Sequence, residues 1–301
     1  SPSFFDPIGV PVNFGDEKEL LTYCRKVVAI CGGRINENEA EVVVTDRKRN
    51  LRIVISIAPV NVGSPSVVIR KPTTGFNLSE LLKSGMLDEE MAEHLSSSVQ
   101  ARETMVLAGR GGSGKTTLLG ALLNRVPPEE RGLLIQETSE ITVHHPDIIC
   151  QLIKQADSPE AKAYTLFDLT RCGLLMSLDR MFIGELKDRE AFDFFNAVFT
   201  GHRGSMATVH ANSAEETLDR LVLLMKRAAF DLPGEYLKEL LAASLDQVIF
   251  LDDYKIYNIS QVIWYDRQQG TVRYHRLFVY DEKTGGFVRV GEPAKKGVAL
   301  C

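Results

Sequence analysis

An α/β fold is predicted for most of this 301-residue chain. A mostly parallel sheet with helices on both faces is expected over residues 78–301, preceded by a small α+β N-terminal domain over 1–70 and a linker over 71–77. Three observations carry that reading. From residue 78 onward, short Val/Ile/Leu runs alternate with amphipathic stretches, the rhythm of strand–helix–strand units. A glycine-rich loop at 109–116 lies between one such apolar run and one such helix. Residues 1–70 instead carry one helical stretch and three runs rich in Val and Ile.

Taken in order, residues 16–30 have helical apolar spacing at Leu20, Leu21, Val27 and Val28, and Gly32-Gly33 supplies the stop. Strands are expected at 41–45, 51–58 and 66–70. The Lys-Pro-Thr-Thr-Gly run from Lys71 breaks both periodicities and reads as the linker. Asp88 precedes a helix to Gln100 on which Met91, His94, Leu95 and Val99 share a face. A strand at 104–108, the glycine loop, a helix at 116–124 and a strand at 133–136 follow. Next come a helix at 159–174, a strand at 180–183, a helix at 189–199 and a strand at 205–209. Phe192, Phe195 and Phe199 have the spacing of a packing stripe. Two helices, 214–230 and 235–245, lead into a β-rich C-terminal tail with strands at 258–265, 272–280 and 287–290.

Lys and Arg number 35 against 40 Asp and Glu, a net charge of −5. A dedicated nucleic-acid binder shows a basic surplus, so direct nucleic-acid binding is not expected. The charge is uneven: residues 1–77 carry 10 basic against 8 acidic side chains, and the remainder 25 against 32. No apolar run approaches the roughly twenty residues of a membrane span. The start, Ser-Pro-Ser-Phe-Phe, lacks the basic and apolar regions of a secretory signal. Five cysteines at 24, 31, 150, 172 and 301 show no paired spacing. They are expected to be small buried hydrophobes in a reducing compartment.

Gly109-Arg110-Gly111-Gly112-Ser113-Gly114-Lys115-Thr116 fits G-x-x-x-x-G-K-[ST]. Such a loop turns backbone N–H groups toward phosphate oxygens, and the helix behind it adds its positive end. Lys115 would reach the β- and γ-phosphates, and the Thr116 hydroxyl would ligate Mg²⁺. The same glycines also fit G-x-G-x-x-G, with Glu137 about twenty residues on, where a dinucleotide fold places its ribose-binding acid. That second reading leaves Lys115-Thr116 unexplained. Downstream, Gln136-Glu137-Thr138-Ser139-Glu140 ends a strand with acids that can face a γ-phosphate. The strand 180–183 leads into Gly184-Glu185, the position of a Walker-B carboxylate, whereas Asp179 precedes the strand and cannot play that part. Residues 200–212 combine glycines with His202 and His210, eight apart and so not a zinc pair.

In this order the motifs resemble the secretion (traffic) ATPases of type II secretion, type IV pili and type IV secretion. The most specific match is Gly184-Glu185-Leu186-Lys187-Asp188-Arg189-Glu190-Ala191 followed by Thr200-Gly201-His202 through Asn212. The style is closest to the Flp (tight-adherence) pilus and conjugation-type members. The resemblance implies a RecA-like P-loop NTPase domain and a Mg-dependent ATPase with ATP as substrate. It implies a homohexamer that is cytoplasmic, at the inner face of a membrane, working on an inner-membrane platform protein. By the same resemblance Glu140 is a general base and Glu185 the Walker-B acid, holding Mg²⁺ directly or through water. His210 senses the γ-phosphate, and Arg52 and Arg70 close onto phosphate from the N-terminal domain. Thr117 joins residues 109–116 in the nucleotide set, with His202 and Glu137 nearby. The N-terminal domain is expected to be truncated, lacking a piece upstream of Ser1. The chain departs from the family at Gln136-Glu137, usually Glu-Asp, and at Leu175, Ser177 and Leu178, where the family has an arginine and a proline. These departures keep open a second role, a slowly or non-hydrolysing nucleotide-binding scaffold of the same machine.

Overall fold

Helix starts are written in local side-chain chemistry. Asp16 accepts from the Glu19 N–H at 2.8 Å and opens α1 (Glu17–Ile30). Asn77 forms a capping box with Glu80 ahead of α2 (Leu78–Lys83), and Asp88 caps α3 (Glu89–Gln100). The computed structural model describes residues 15–46, 48–49, 51–70, 75–154, 156 and 161–296. The chain divides into two compact units, Ser1–Pro72 and Thr73–Cys301.

In the first unit, β1 (Glu41–Asp46), β2 (Leu51–Ser56) and β3 (Ser66–Arg70) form an antiparallel sheet in the order β1-β2-β3. Ile53 and Ile55 point to one face and pack with Cys24 and Val28 of α1. Side chains alternate along a strand, so Arg52 and Arg70, which are register partners, share the opposite face.

The second unit is built on nine strands. Six run parallel: β4 (Met105–Gly109), β5 (Gly132–Gln136), β6 (Ile148–Leu152), β7 (Arg180–Leu186), β8 (Met206–His210) and β9 (Gln247–Asp252). An antiparallel extension follows in β10 (Lys255–Asp266), β11 (Thr271–Asp281) and β12 (Gly286–Arg289). The strand order is β12-β11-β10-β9-β4-β8-β7-β5-β6. One face is covered by α2, α3 and α4 (Lys115–Leu123), the other by α5 (Leu166–Gly173), α6 (Glu190–Phe199), α7 (Ala214–Lys226) and α8 (Gly234–Ser244). β4, β5 and most of β8 are buried on both faces, which is why they read as continuous apolar runs. No helix among the described residues is long and apolar enough to cross a membrane.

Several expectations need correction. Helix α2 and strands β6 and β9 were not anticipated. The helix expected over 159–174 begins only at Leu166, because Thr165 and Asp168 form a capping box there; 157–160 lie outside the described residues. Lys154 and Tyr164 instead pair as an antiparallel bridge. On α6 the buried aromatics are Phe194 and Phe195, in edge contact at 5.1 Å, while Phe199 is exposed. Cys24 is buried, but Cys150 and Cys172 are exposed, so the cysteines are not uniformly core residues.

At the start of β7, away from the glycine loop, Arg180 is fully buried. Its guanidinium donates to both Glu130 oxygens, at 2.5 and 2.9 Å, and to the Val99 carbonyl at 2.8 Å. Arg102 adds a second contact to Glu130 at 3.2 Å and one to Asp179 at 3.0 Å. Burial pushes the Glu130 carboxyl up, but Arg180 and Arg102 outweigh it and hold it below its ordinary value. Its stabilisation is therefore present above the ordinary carboxylate range and lost as pH falls through the folded value. Glu130→Ala strands a buried guanidinium and is expected to lower the unfolding free energy by about 3 kcal/mol. Arg102→Ala, at a partly exposed pair, should cost under about 1 kcal/mol. Denaturant titration of the two variants beside the parent checks the contrast.

Candidate functional site

The glycine loop leaves the end of β4 where three strand ends line up. Gly109 is the register partner of His210 on β8 and of Leu251 on β9. Its φ is +151°, and a Cβ there would collide with the Leu251 carbonyl oxygen, so only glycine fits. Gly114, at φ +96°, caps α4 in the left-handed region with the Met86 side chain against it. Lys115 is buried under the loop, its Nζ donating to the carbonyls of Gly109 at 2.9 Å and Arg110 at 2.6 Å. The Ser113 hydroxyl is buried with no hydrogen-bond partner. An unsatisfied hydroxyl, a lysine capping loop carbonyls and a helix N-terminus fit a cradle for phosphate oxygens. Thr116 and Thr117 are half-buried on the first turn of α4.

Glu185 reaches this cradle through a distortion in β7. Ile183 pairs with Ala207 and Leu186 with Val209, so β7 takes one more residue than β8 across that step. The Thr208 hydroxyl donates to the Gly184 carbonyl at 2.6 Å and holds the bulge. Bulges re-aim side chains, and here the Glu185 carboxylate sits between two partners. Its Oε1 lies 3.1 Å from His210 Nε2 and its Oε2 lies 3.3 Å from Lys187 Nζ. Lys187 continues to Glu137 Oε2 at 2.7 Å.

Electrostatics set the protonation states. Burial, and then the nearby Lys115 charge, push the His210 imidazole below its ordinary value, with Glu185 opposing. His210 is therefore mostly neutral at pH 7, with its Nε2 beside the Glu185 carboxylate. Burial also lowers the Lys115 ammonium, and the Glu185 charge pulls it back up. For Lys187, burial opposes the charge, but Glu137 and Glu185 win and hold it above its ordinary value.

The structure thus brings Lys115, Glu185 and His210 together, with Glu137 joined through Lys187. Glu140 lies on the loop after β5. Its carboxylate accepts from Thr138 Oγ1 at 3.3 Å, and its N–H donates to Gln136 Oε1 at 3.2 Å. Gln136 is buried and uses both ends of its amide: Oε1 accepts from the Ile141 N–H at 2.8 Å and Nε2 donates to the Ile141 carbonyl at 3.3 Å. A glutamate could not make the second bond, which accounts for an amide here. His202 lies ahead of β8, its Nδ1 3.1 Å from the Ala197 carbonyl at the end of α6, and does not join His210. Arg52 and Arg70 sit side by side on the first unit's sheet.

Lys187 is the residue that sequence reasoning left without a role. The signal was its position two residues beyond Glu185, on the same side of an extended strand end. Among the described residues no group of three or more His, Cys, Asp or Glu could hold a metal. A divalent cation here would need phosphate oxygens beside Thr116 and Glu185. A cavity of about 530 Å³ adjoins the loop, lined by Arg110, Gly111, His210, Asn212, Glu216 and Arg220 among others.

Comparison with known proteins follows the same chemistry. Residues 30–252 match the family described as Type II/IV secretion system protein. A type IV secretion system protein VirB11 of Bartonella henselae is 30% identical over 268 residues, covering 77% of this chain and 75% of that protein. A putative conjugal transfer protein of Mycobacterium tuberculosis is 28% identical over 222 residues, covering 71% of this chain but only 62% of its own length. Among solved structures, the ATPase DotB of Yersinia pseudotuberculosis superposes with a TM-score of 0.53 at 16% identity, over 88% of this chain and 67% of that one, a likeness of fold. With the family matched across most of its length, and with a RecA-like sheet behind the glycine loop, this chain belongs to the type II/IV secretion (traffic) ATPase family.

Proposed function

We propose that the chain is the ATP-hydrolysing motor of a bacterial or archaeal pilus-assembly or secretion machine. The observation that carries this reading is the meeting of the Lys115 loop with the Glu185–His210 pair at adjacent strand ends. The substrate is ATP with Mg²⁺, which neutralises phosphate charge when bound; Thr116 and Glu185 are the residues that would hold it. The N–H groups of residues 110–116 and the N-terminus of α4 receive the phosphates. Lys115 exchanges the Gly109 and Arg110 carbonyls for phosphate oxygens, and Ser113 gains the partner it lacks. A carboxylate then takes the proton of the attacking water, the role that family likeness gives to Glu140. Neutral His210 has one N–H to give, and offering it to the γ-phosphate while its ring stands beside Glu185 ties phosphate state to the carboxylate.

Family likeness alone supports the remaining parts: a homohexameric ring, a cytoplasmic position at the membrane's inner face, an inner-membrane platform protein as partner, and Arg52 and Arg70 acting on phosphate. A slowly hydrolysing scaffold is separated from the motor by measuring nucleotide binding beside phosphate release, since it would bind nucleotide without releasing phosphate.

Lys115→Ala is expected to lower ATP turnover by about two to three orders of magnitude, the scale of losing a key electrostatic contact. Steady-state phosphate release measures it, and activity surviving the change would sink the assignment. Because His210 is held below its ordinary value, it stays neutral until the pH drops under about 6.5. The rate should therefore be flat from neutral upward and fall on the acid side. A pH profile of His210→Asn that keeps the parent's acid limb would remove His210 from the mechanism. Arg52→Ala and Arg70→Ala should each lower turnover with little change in the affinity of the Thr73–Cys301 unit's site for a fluorescent ADP. Unaltered turnover in both would remove the arginines from the reaction.

A further inference from the structure

The ends of β5 and β7 bring two carboxylates, Glu137 and Glu185, to one ammonium, 2.7 and 3.3 Å away. Two like charges on neighbouring strand ends repel, and a cation between them offsets that repulsion. Each oxygen of Glu185 already has a nitrogen beside it, His210 Nε2 at one and the Lys187 ammonium at the other. A metal ion or its water approaching Glu185 meets these two neighbours, and the one that competes for the carboxylate charge and yields most readily sets the cost.

The surroundings decide which. The backbone at Lys187 is pinned: its N–H donates to Glu190 Oε1 at 2.6 Å, the next N–H donates to the same oxygen at 2.9 Å, and its carbonyl accepts from Arg227 at 3.3 Å. Glu190 is itself buried. The Lys187 side chain, by contrast, is 43% exposed on a flexible four-carbon stem. It can swing into solvent while the strand stays in place.

We infer that Lys187 is a positioning residue for the metal that accompanies the nucleotide: its ammonium holds Glu137 and Glu185 together in the ligand-free site and competes with the divalent cation for Glu185. The inference rests on the nucleotide reading above. Lys187 acts as a tethered monovalent stand-in. It keeps the acids assembled when metal is absent and weakens the site's grip on metal when it arrives. Exposed and half-exposed ion pairs are individually modest, so the competition should amount to about two- to fivefold.

The test is the affinity of the full chain for a fluorescent (mant) ADP, measured in EDTA and in excess Mg²⁺, with the metal-induced gain as readout. In Lys187→Met the gain should rise by about two- to fivefold, and the Mg²⁺ concentration at half effect should fall by the same factor. Lys187→Arg, which keeps the charge, should stay near the parent. Lys226→Met removes an exposed positive charge at the end of α7, outside the cavity lining, and should leave the gain unchanged. A gain that is unaltered or smaller in Lys187→Met overturns the role of Lys187. An equal rise in Lys226→Met also overturns it, since the effect would then be one of net charge. If the parent protein binds no mant-ADP in either condition, the nucleotide reading falls and this inference falls with it. A parent with a clear metal-dependent gain that Lys187→Met leaves untouched overturns the inference alone.

Discussion

The site depends on the register of β4. Because Gly109 stands opposite both His210 and Leu251, the loop leaves the sheet where β8 ends on one side and β9 on the other. The backbone is so close to the Leu251 carbonyl that no side chain fits at residue 109. Everything else follows from that alignment. The loop can only turn over the strand ends, the helix behind it presents its N-terminus, and Lys115 folds under the turn to satisfy two of its carbonyls. Ligands of open α/β sheets gather at carboxyl ends of strands, and here backbone crowding fixes the point.

Glu185 and Gln136 show how two neighbouring strands finish the site by different means. In β7 an extra residue interrupts the pairing and turns a carboxylate toward the loop. In β5 the pairing runs cleanly to Gln136, whose amide then folds the following turn onto itself through Ile141. One strand end is bulged into use and the other is stapled shut. The four charges that result, on Glu137, Lys187, Glu185 and Lys115, alternate in sign along the line of strand ends, with neutral His210 beside them. In the first unit, two arginines at one register position concentrate positive charge on the face that α1 leaves uncovered.

Local signals were the legible ones. The parallel strands buried on both faces stood out as apolar runs, and caps such as Asp16 and Asp88 marked helix starts within a residue. Lys115, Glu185 and His210 were legible because each sits in a motif whose spacing reflects a strand end. What was missed depends on partners distant in the chain. Strand β6 is a half-covered edge with mixed burial, so its pattern shows no clear period. Only two residues separate the end of α8 from β9, with no glycine or proline between them to mark the change. The α6 stripe was misplaced at its end: Phe192 and Phe195 pack with the core, but the fully buried Phe194 joins them and Phe199 is exposed. Arg180 reads from sequence as an ordinary strand opener. Only the fold reveals that Glu130, fifty residues earlier, meets it. The bulge at Glu185 and the bridge through Lys187 require the register of three strands, which no single segment encodes.

Arg180 and Glu185 are two ends of one strand. The guanidinium is locked in the dry interior at the start of β7, and the carboxylate stands in the bulge near its finish. A slip of β7 by one residue would carry its side chains about 3.3 Å along the sheet and pull the guanidinium off Glu130 and off the end of α3. That makes Arg180 a gauge pin: it sets the phase of β7 from the far edge of the sheet. The bulge can then spend its one surplus residue on aiming the acid, without being drawn out by sliding of the strand.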